Sequence, residues 1–547
     1  MGALAYLVGS VDIATGMARG WRDRLHPLTE LMPGAIEAAS AATVVSGILL
    51  LLLAHALRRR KRRAWRAALV LLAFSVVLHA VKLEFLAVAM SLAVLIALIA
   101  YRAEFRALGD PQTRWRAVRV FLVLAAASLA VGVLIVTLLR HQVVGGPPSW
   151  GNIVQEVLSG LVGLDGPLTY RQDRVTDFAG FVLLGLGLMT ALTTVYLALR
   201  PPEPRPQLTD ADEATMRCLL KRSPDSLGYF NLRRDKSVVW SDSGKAAIAY
   251  RVVSGAMLAS GDPLGDPEAW PGAITNFLAE AERYAWTPAV IGCSEKAGNI
   301  WCRTTGFSAL ELGDEAVVDV AGFSLDGRPM RNVRQMVKRV ERAGYTTEVL
   351  RAGSVSEGER RRALVDADAW RGTETERGFS MALGRLVDPV DPDCVFVVAR
   401  QDGVMRAFLQ FVPWGPDGMS LDVMRRDRTA DAGVNELLIV DALRSSPALG
   451  VSRVSLNFAA FRSTLERGER LGAGPFLRAW RTVLLFASRW FQIESLYRFN
   501  AKFQPTWVPR FVVYPATRDL PRIAVAAFEA EAFLTWPRLR GLSGARS

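Results

Sequence analysis

Histidine is nearly missing from this chain. Of 547 residues only His26, His55, His79 and His141 are histidine, so everything after residue 141 lacks imidazole. That excludes Ser-His-Asp and Cys-His catalysis and histidine-ligated zinc from the C-terminal part. Cysteine is equally sparse: Cys218, Cys293, Cys302 and Cys394 form no CxxC pair. They suit a reducing compartment and are expected as small buried side chains rather than as disulfides or metal ligands. No metal and no cofactor are expected. Chemistry has to come from carboxylates, Lys and Arg, hydroxyls, backbone amides or the substrate itself.

Acidic residues are in deficit too. Sixty-six Lys and Arg against 53 Asp and Glu leave a net charge of +13 and a pI near 9.9. The excess points to nucleic acid or anionic lipid, although part of it also satisfies the positive-inside rule.

Long apolar runs fill the first two hundred residues. Residues 38–57 suffice to cross about 30 Å of hydrocarbon, and six basic residues, Arg58 to Arg63, follow. Residues 67–101 as one helix would measure about 50 Å, too long for one crossing. A break near Lys82–Glu84 therefore gives spans 67–81 and 85–101, followed by 118–139 and 178–199. Charge parity agrees: Arg58–Arg63 and the basic stretch Arg102–Arg119 both become cytoplasmic if two crossings separate them, which places the C-terminal part in the cytoplasm. Residues 1–17 read either as a first span, giving six, or as a surface helix; six is favoured. Residues 145–168, rich in Gly and Pro, are expected as an external loop, with a short re-entrant piece as the alternative. His79, Lys82 and Glu84 are expected at a hairpin turn in the headgroup layer, the alternative being a lipid pathway.

Residues 201–208 are a stiff Pro-rich linker. From 209 onward strands interleave with helices, the pattern of an α/β module. Strands are expected at Ala246–Val253, Val317–Val320, Cys394–Ala399, Met405–Phe411, Ser420–Val423 and Val454–Phe458, and helices at 270–285, 328–343, 357–370, 433–447 and 475–490. Some 330 residues fit two similar units, although no strong internal repeat is visible. Helix 328–343 has Met330, Val333, Val337 and Val340 on one face, while Arg331, Arg334, Lys338 and Arg342 line another. The basic face is either merely solvated or a phosphate contact.

Carboxylates beside turn-forming residues are the catalytic candidates: Asp422 with Arg425, Asn435 with Glu436, Glu374 and Glu376 ahead of Gly378-Phe-Ser-Met381, and Asp262 in a tight turn. Segment 495–511 alternates aromatic residues with Arg498, Lys502 and Arg510, stiffened by Pro505 and Pro509. That mixture suits a groove for an anionic, partly flat ligand such as a nucleotide end or a lipid headgroup.

Several stretches resemble the bacterial aminoacyl-phosphatidylglycerol synthases, the multiple-peptide-resistance-factor family: Ser260-Gly-Asp-Pro263, Gly327-Arg-Pro-Met-Arg-Asn-Val-Arg-Gln335, Glu376-Arg-Gly-Phe-Ser-Met381, Leu421-Asp-Val-Met-Arg425, Asn435-Glu-Leu-Leu-Ile439, Ser455-Leu-Asn-Phe458 and 495–511. The tail is most similar to the actinobacterial lysyl-phosphatidylglycerol synthases, some of which carry a fused lysyl-tRNA synthetase. No such domain follows here, so charged tRNA is expected from elsewhere. The resemblance implies a polytopic helical membrane domain plus a cytoplasmic domain of two tandem acetyltransferase-like units. It implies transfer of an aminoacyl group, lysyl favoured, from aminoacyl-tRNA to phosphatidylglycerol at the inner leaflet of the plasma membrane. Product flipping and resistance to cationic antimicrobial peptides are implied less directly, because the N-terminal part matches only loosely.

By the same resemblance Asp422, Arg425 and Lys502 are expected to be the catalytic residues, with Asp422 either binding the α-amino group of the aminoacyl end, which is favoured, or acting as base. Arg331, Asn332, Arg334, Lys338, Glu376, Ser380, Asn435, Glu436, Asn457, Arg498, Trp507 and Arg510 are expected to bind substrate. A homo-oligomer is a further expected partner state. The rivals are a coenzyme A-dependent acetyltransferase, whose phosphate loop is matched only poorly by Arg400-Gln-Asp-Gly-Val-Met405, transfer to another lipid acceptor, and a lipid flippase or transporter with a regulatory cytoplasmic domain.

Overall fold

The computed structural model describes residues 2–17, 35–58, 62–82, 84–105, 111–199, 208–372, 378–460 and 493–534. Glu374, Glu376, the expected helix 475–490 and the tether up to residue 207 lie outside them. Two compact units divide between Pro202 and Glu203.

The first unit is helical: α1 (Gly2–Met17), α2 (Ala35–Arg58), α3 (Arg62–Val81), α4 (Phe85–Ala100), α5 (Pro111–Leu138), α6 (Trp150–Leu161) and α7 (Asp173–Leu199). Within them Ala64–Val81, Val118–Leu138 and Asp173–Val195 are long and apolar enough to cross a membrane, and Gly2–Thr15, Ala42–Ala54 and Phe85–Ala100 are shorter apolar helices. Large apolar side chains such as Leu122, Leu134 and Phe181 point outward, which in water would be unfavourable and in lipid is not. α1 packs on α2 at Gly9 and Gly47, where an added Cβ would lie within 2.8 Å of the facing backbone carbonyl. Small residues allow this close approach.

Two expectations for this unit need correction. Within 145–168, residues 150–161 form a helix, α6, that buries Ile153, Val157 and Gly160. Gly132 of α5 would meet Val157, Gly160 would meet Leu183 of α7, and Gly187 of α7 lies against the Leu161 carbonyl. α6 is thus packed onto both neighbours, where an irregular loop was expected. The polar residues at the α3–α4 turn are also not solvated: His79, Lys82 and Glu84 are all buried, together with Asp12 of α1.

The second unit is built on one twelve-stranded sheet, in the order β1-β2-β3-β5-β12-β6-β11-β10-β9-β8-β7, with β4 (Leu264–Gly265) beside β2. The strands are β1 (Ser237–Trp240), β2 (Ala246–Val253), β3 (Ala256–Ser260), β5 (Thr287–Cys293), β6 (Ser308–Asp319), β7 (Tyr345–Arg351), β8 (Val395–Gln401), β9 (Val404–Trp414), β10 (Gly418–Arg426), β11 (Arg453–Ala460) and β12 (Thr506–Tyr514). The helices are α8 (Asp210–Leu220), α9 (Trp270–Tyr284), α10 (Glu295–Thr305), α11 (Arg331–Arg342), α12 (Glu357–Arg371), α13 (Val434–Ser445), α14 (Ile493–Ala501) and α15 (Leu520–Ala530).

The element order repeats. An antiparallel meander, β1-β2-β3, is followed by α9 and by β5 parallel to β3. A second meander, β8-β9-β10, is followed by α13 and by β11 parallel to β10. Among the described residues each copy then adds a helix and a strand, α10 with β6 and α14 with β12. This is the arrangement of two acetyltransferase-like halves. The halves also exchange edges: β12 of the second lies between β5 and β6 of the first, antiparallel to both. Neither half therefore has a complete sheet alone.

Local sequence explains the elements that matter below. α11 carries the expected apolar face, with Val333, Val337 and Val340 buried against α13 in a core shared with Leu437 and Leu438. Gly433 caps the start of α13, and its φ of 108° is available to glycine. A side chain there would press on Val340 and Met336 of α11. The segment 495–511 bends from α14 into β12, and Pro509 is accommodated inside β12 at a register irregularity beside Arg510.

Candidate functional site

The two halves treat their parallel strand pair differently. In the first half, β3 and β5 pair from Ala256–Thr287 through Ser260–Ile291. Beyond that end, Asp262 accepts hydrogen bonds from the backbone N–H of Ser294 at 2.7 Å and from its hydroxyl at 2.6 Å. Asp262 and Ser294 close the gap. In the second half, β10 and β11 pair only from Gly418–Arg453 to Ser420–Ser455, and the named candidates begin where pairing stops.

Each limb of this split carries an irregularity. β10 bulges at Asp422 relative to β9, and β11 bulges between Ser455 and Phe458 relative to β6, with Asn457 at φ 72°. Bulges re-aim side chains next to functional sites. Asp422 is half-buried. Its Oδ1 accepts from the Leu383 N–H at 2.8 Å and its Oδ2 from the Gln410 amide at 2.6 Å. Gln410 also donates to the Arg385 carbonyl at 2.9 Å and accepts from the Val387 N–H at 2.6 Å. Asn457 donates from Nδ2 to the Leu421 carbonyl at 3.1 Å and the Met381 carbonyl at 3.2 Å. Strand split and loop 378–387 are therefore one hydrogen-bonded assembly.

α14 joins it through Asn500, whose Nδ2 donates to the Leu456 carbonyl at 3.3 Å. Two residues on, the Lys502 ammonium sits 2.7 Å from the Glu436 carboxylate at the start of α13 and 5.3 Å from the Phe499 ring centroid. Lys502 is 36% exposed while Glu436 is buried. Beside them the buried Asn435 Oδ1 has no hydrogen-bond partner among the described residues, an acceptor that a ligand donor would satisfy. Arg425, half-buried on β10, donates a 3.3 Å bond to the Met424 carbonyl. The Tyr497 and Trp507 rings pack at a tilt of 35° with centroids 5.0 Å apart, and Arg498 is exposed.

Some expected binding residues are otherwise occupied. Arg510 is buried, with ion pairs to Asp225 at 2.7 Å and Glu315 at 2.5 Å and a 2.6 Å bond to Ser226. Burial disfavours its charge, but the surrounding carboxylates more than compensate and raise its pKa. It is a structural cation beneath the sheet, because two buried carboxylates require it. Burial, with the nearby Asp225 carboxylate, in turn pushes Asp262 well above the ordinary carboxylate range. Ser380 is also buried: its N–H and hydroxyl both bond Glu531, as does the Phe379 N–H at 2.7 Å. Arg334 bonds the carbonyls of Leu325 and Gly327 and so anchors the loop before α11. Arg331, Asn332 and Lys338 stay exposed on α11.

Sequence reasoning missed Gln410, Asn500 and Glu531. Gln410 left a signal, a lone polar residue within the buried run Ala407–Val412. Glu531 left none, lying far along the chain from the loop it holds.

The stretch Arg400–Met405 is the β8–β9 hairpin, with Asp402 and Gly403 both at positive φ. As expected of so poor a match, it lies between two strands and not at the strand-to-helix turn that a coenzyme A phosphate loop requires.

Residues 217–514 match the family described as phosphatidylglycerol lysyltransferase, C-terminal, and residues 2–164 match the transmembrane region of lysyl-tRNA synthetase. The chain is 45% identical over 467 residues to the lysylphosphatidylglycerol biosynthesis bifunctional protein LysX of Rhodococcus jostii, covering 82% of this chain and 40% of that protein. It is 52% identical over 363 residues to the LysX of Nocardia farcinica, covering 65% and 32%. It thus spans about two fifths or less of these relatives' length. The structure of L-PGS from Bacillus licheniformis superposes with a TM-score of 0.53 at 21% identity, covering 61% of this chain and 100% of that one, a likeness of fold.

Proposed function

The chain belongs to the phosphatidylglycerol lysyltransferase family, and from that premise we propose that it transfers a lysyl group from lysyl-tRNA to phosphatidylglycerol at the inner face of the plasma membrane. The observation that supports this reading is that β10 and β11 stop pairing at Ser420–Ser455, just ahead of Asp422, Arg425 and Asn457, and that bulges on both strands re-aim Asp422 and Asn457 there.

The reaction exchanges esters. A glycerol hydroxyl of the lipid attacks the aminoacyl carbonyl, a new C–O bond forms, and the bond to the terminal ribose oxygen of the tRNA breaks. The hydroxyl proton ends on that ribose oxygen, so no ATP is consumed in the step. With no histidine after residue 141, the proton passes through the substrates, by way of the ribose or the lipid phosphate. The protein supplies orientation and charge. Asp422 binds the α-ammonium of the aminoacyl end, and Arg425 and Lys502 hold phosphate and the developing oxyanion. The exposed cations of α11, Arg331 and Lys338, contact the tRNA acceptor end. The basic loops flanking α3–α4 support a cytoplasmic position for this unit.

The test is reconstitution. The full chain in micelles with phosphatidylglycerol and lysyl-tRNA carrying labelled lysine should yield label in the lipid extract. No labelled lipid with lysyl-tRNA or with other aminoacyl-tRNAs would overturn the reading.

A further inference from the structure

Asp12, Ser75, His79, Lys82 and Glu84 form a buried polar cluster in the helical unit that the transfer reaction does not use. His79 lies 2.8 Å through Nε2 from Asp12 Oδ1 and 2.6 Å through Nδ1 from Glu84 Oε2. The Ser75 hydroxyl donates to Asp12 Oδ2 at 2.6 Å, and the Lys82 ammonium is 3.0 Å from Glu84 Oε1. All five side chains are nearly inaccessible. His79 sits inside the apolar span Ala64–Val81, and Asp12 lies in α1, an apolar helix without another charged residue. Polar groups in such surroundings are costly and mark function by default.

Counting protons defines the function. A neutral imidazole carries one N–H, and two carboxylates carry none, so they can fill only one of the two short N···O gaps. One further proton fills the second. With it the cluster sums to zero charge: two carboxylates, one imidazolium and one ammonium. Without it a net negative charge is buried among aliphatic side chains, and a nitrogen lone pair faces a carboxylate. Other elements packed here do not offset that charge among the described residues. The buried polar residues of α2, Thr43 and Ser46, and of α4, Ser91, carry no charge and do not titrate.

We propose that Asp12, His79 and Glu84 are a proton-binding site, holding one proton as the His79 imidazolium and thereby tying α1 to the α3–α4 turn. Loss of the proton breaks one of the two ties. The ligand is the proton itself, and Lys82 sets the charge balance that retains one proton rather than two.

The experiment is nitrogen NMR of the full chain, labelled at histidine and reconstituted in phosphatidylglycerol bilayers at about pH 8, above the ordinary histidine range. His79 is assigned by its loss in His79→Gln. Should that variant not assemble, His26→Gln, His55→Gln and His141→Gln assign it by elimination. Expected are two protonated ring nitrogens for His79 in the unsubstituted chain. In Asp12→Asn the ring should become neutral, because glutamate and lysine then balance without it. A neutral His79 in the unsubstituted chain overturns the proposal, and so does an imidazolium that persists in Asp12→Asn.

Discussion

Asn457 and Asp422 stand on opposite limbs of the β10–β11 split, linked through one carbonyl: Asn457 donates to Leu421, the residue before Asp422, at 3.1 Å. Both occupy bulges, and both reach loop 378–387, Asn457 through Met381 and Asp422 through Leu383. The acid that binds substrate in the proposed reaction is thus also a fastening of the loop beside it.

Asp422→Ala should lower kcat/KM for aminoacyl transfer by about ten- to a hundredfold, the worth of a hydrogen bond to a charged group. Asp422→Asn keeps an acceptor for the Leu383 N–H while losing the charge. If Asp422 binds the α-ammonium, Asn should be nearly as impaired as Ala; steady-state kinetics with both variants decides it. Activity close to normal in Asp422→Asn would show the loop contact to be its main role.

Gln410→Met removes the bridge between Asp422, Arg385 and Val387. A buried N–H and a carboxylate oxygen then lose partners, at a cost of about 1–3 kcal/mol. Thermal denaturation should show that loss, and kcat should fall while lipid KM changes less, since Asp422 is displaced rather than deleted.

Arg510→Met should behave as a folding defect. It leaves Asp225 and Glu315 buried without their cation, a change worth about 3–5 kcal/mol. Limited proteolysis should find the second unit cleaved readily. Arg498→Ala, at an exposed site, should leave proteolysis unchanged and alter activity only.

Charge reversal at Arg331 and Lys338 should weaken tRNA binding and reduce the slope of log K against log salt by about two, one for each phosphate no longer neutralised. Filter binding across salt concentrations measures it. Arg334 is unsuitable for this test, because its guanidinium holds the carbonyls of Leu325 and Gly327.

Lys236 predicts a pH effect. It is fully buried, with its ammonium 3.0 Å from the Phe230 carbonyl and 4.7 Å from the Phe379 ring centroid, and burial lowers its pKa to about 7. Between that value and its unfolded value the unfolded chain holds the extra proton, so this residue's contribution to stability rises with pH from about 7 to about 10. Lys236→Met should remove that rise from melting curves recorded across the same range. An unchanged slope would refute the assignment.

Sequence patterns alone settled what depends on short-range repetition. Apolar length called for a break near Glu84, and helices end at Val81 and begin at Phe85, because hydrocarbon thickness limits how far one crossing helix runs. Three-four spacing placed the buried face of α11, because side chains on one face must share a core. The lack of histidine after residue 141 excluded imidazole chemistry supplied by the C-terminal part, whatever its fold.

What only the tertiary structure decided are pairings across long separations. Arg498, Lys502 and Arg510 look alike along the chain, yet Lys502 reaches Glu436 half-exposed, Arg498 is exposed, and Arg510 is buried between Asp225 and Glu315. Asp12 and His79, 67 residues apart, become partners only when α1 meets α3. A charge acquires its role from the dielectric around it and the counter-charge beside it, and both are set by which distant segments the sheet and the helices bring together.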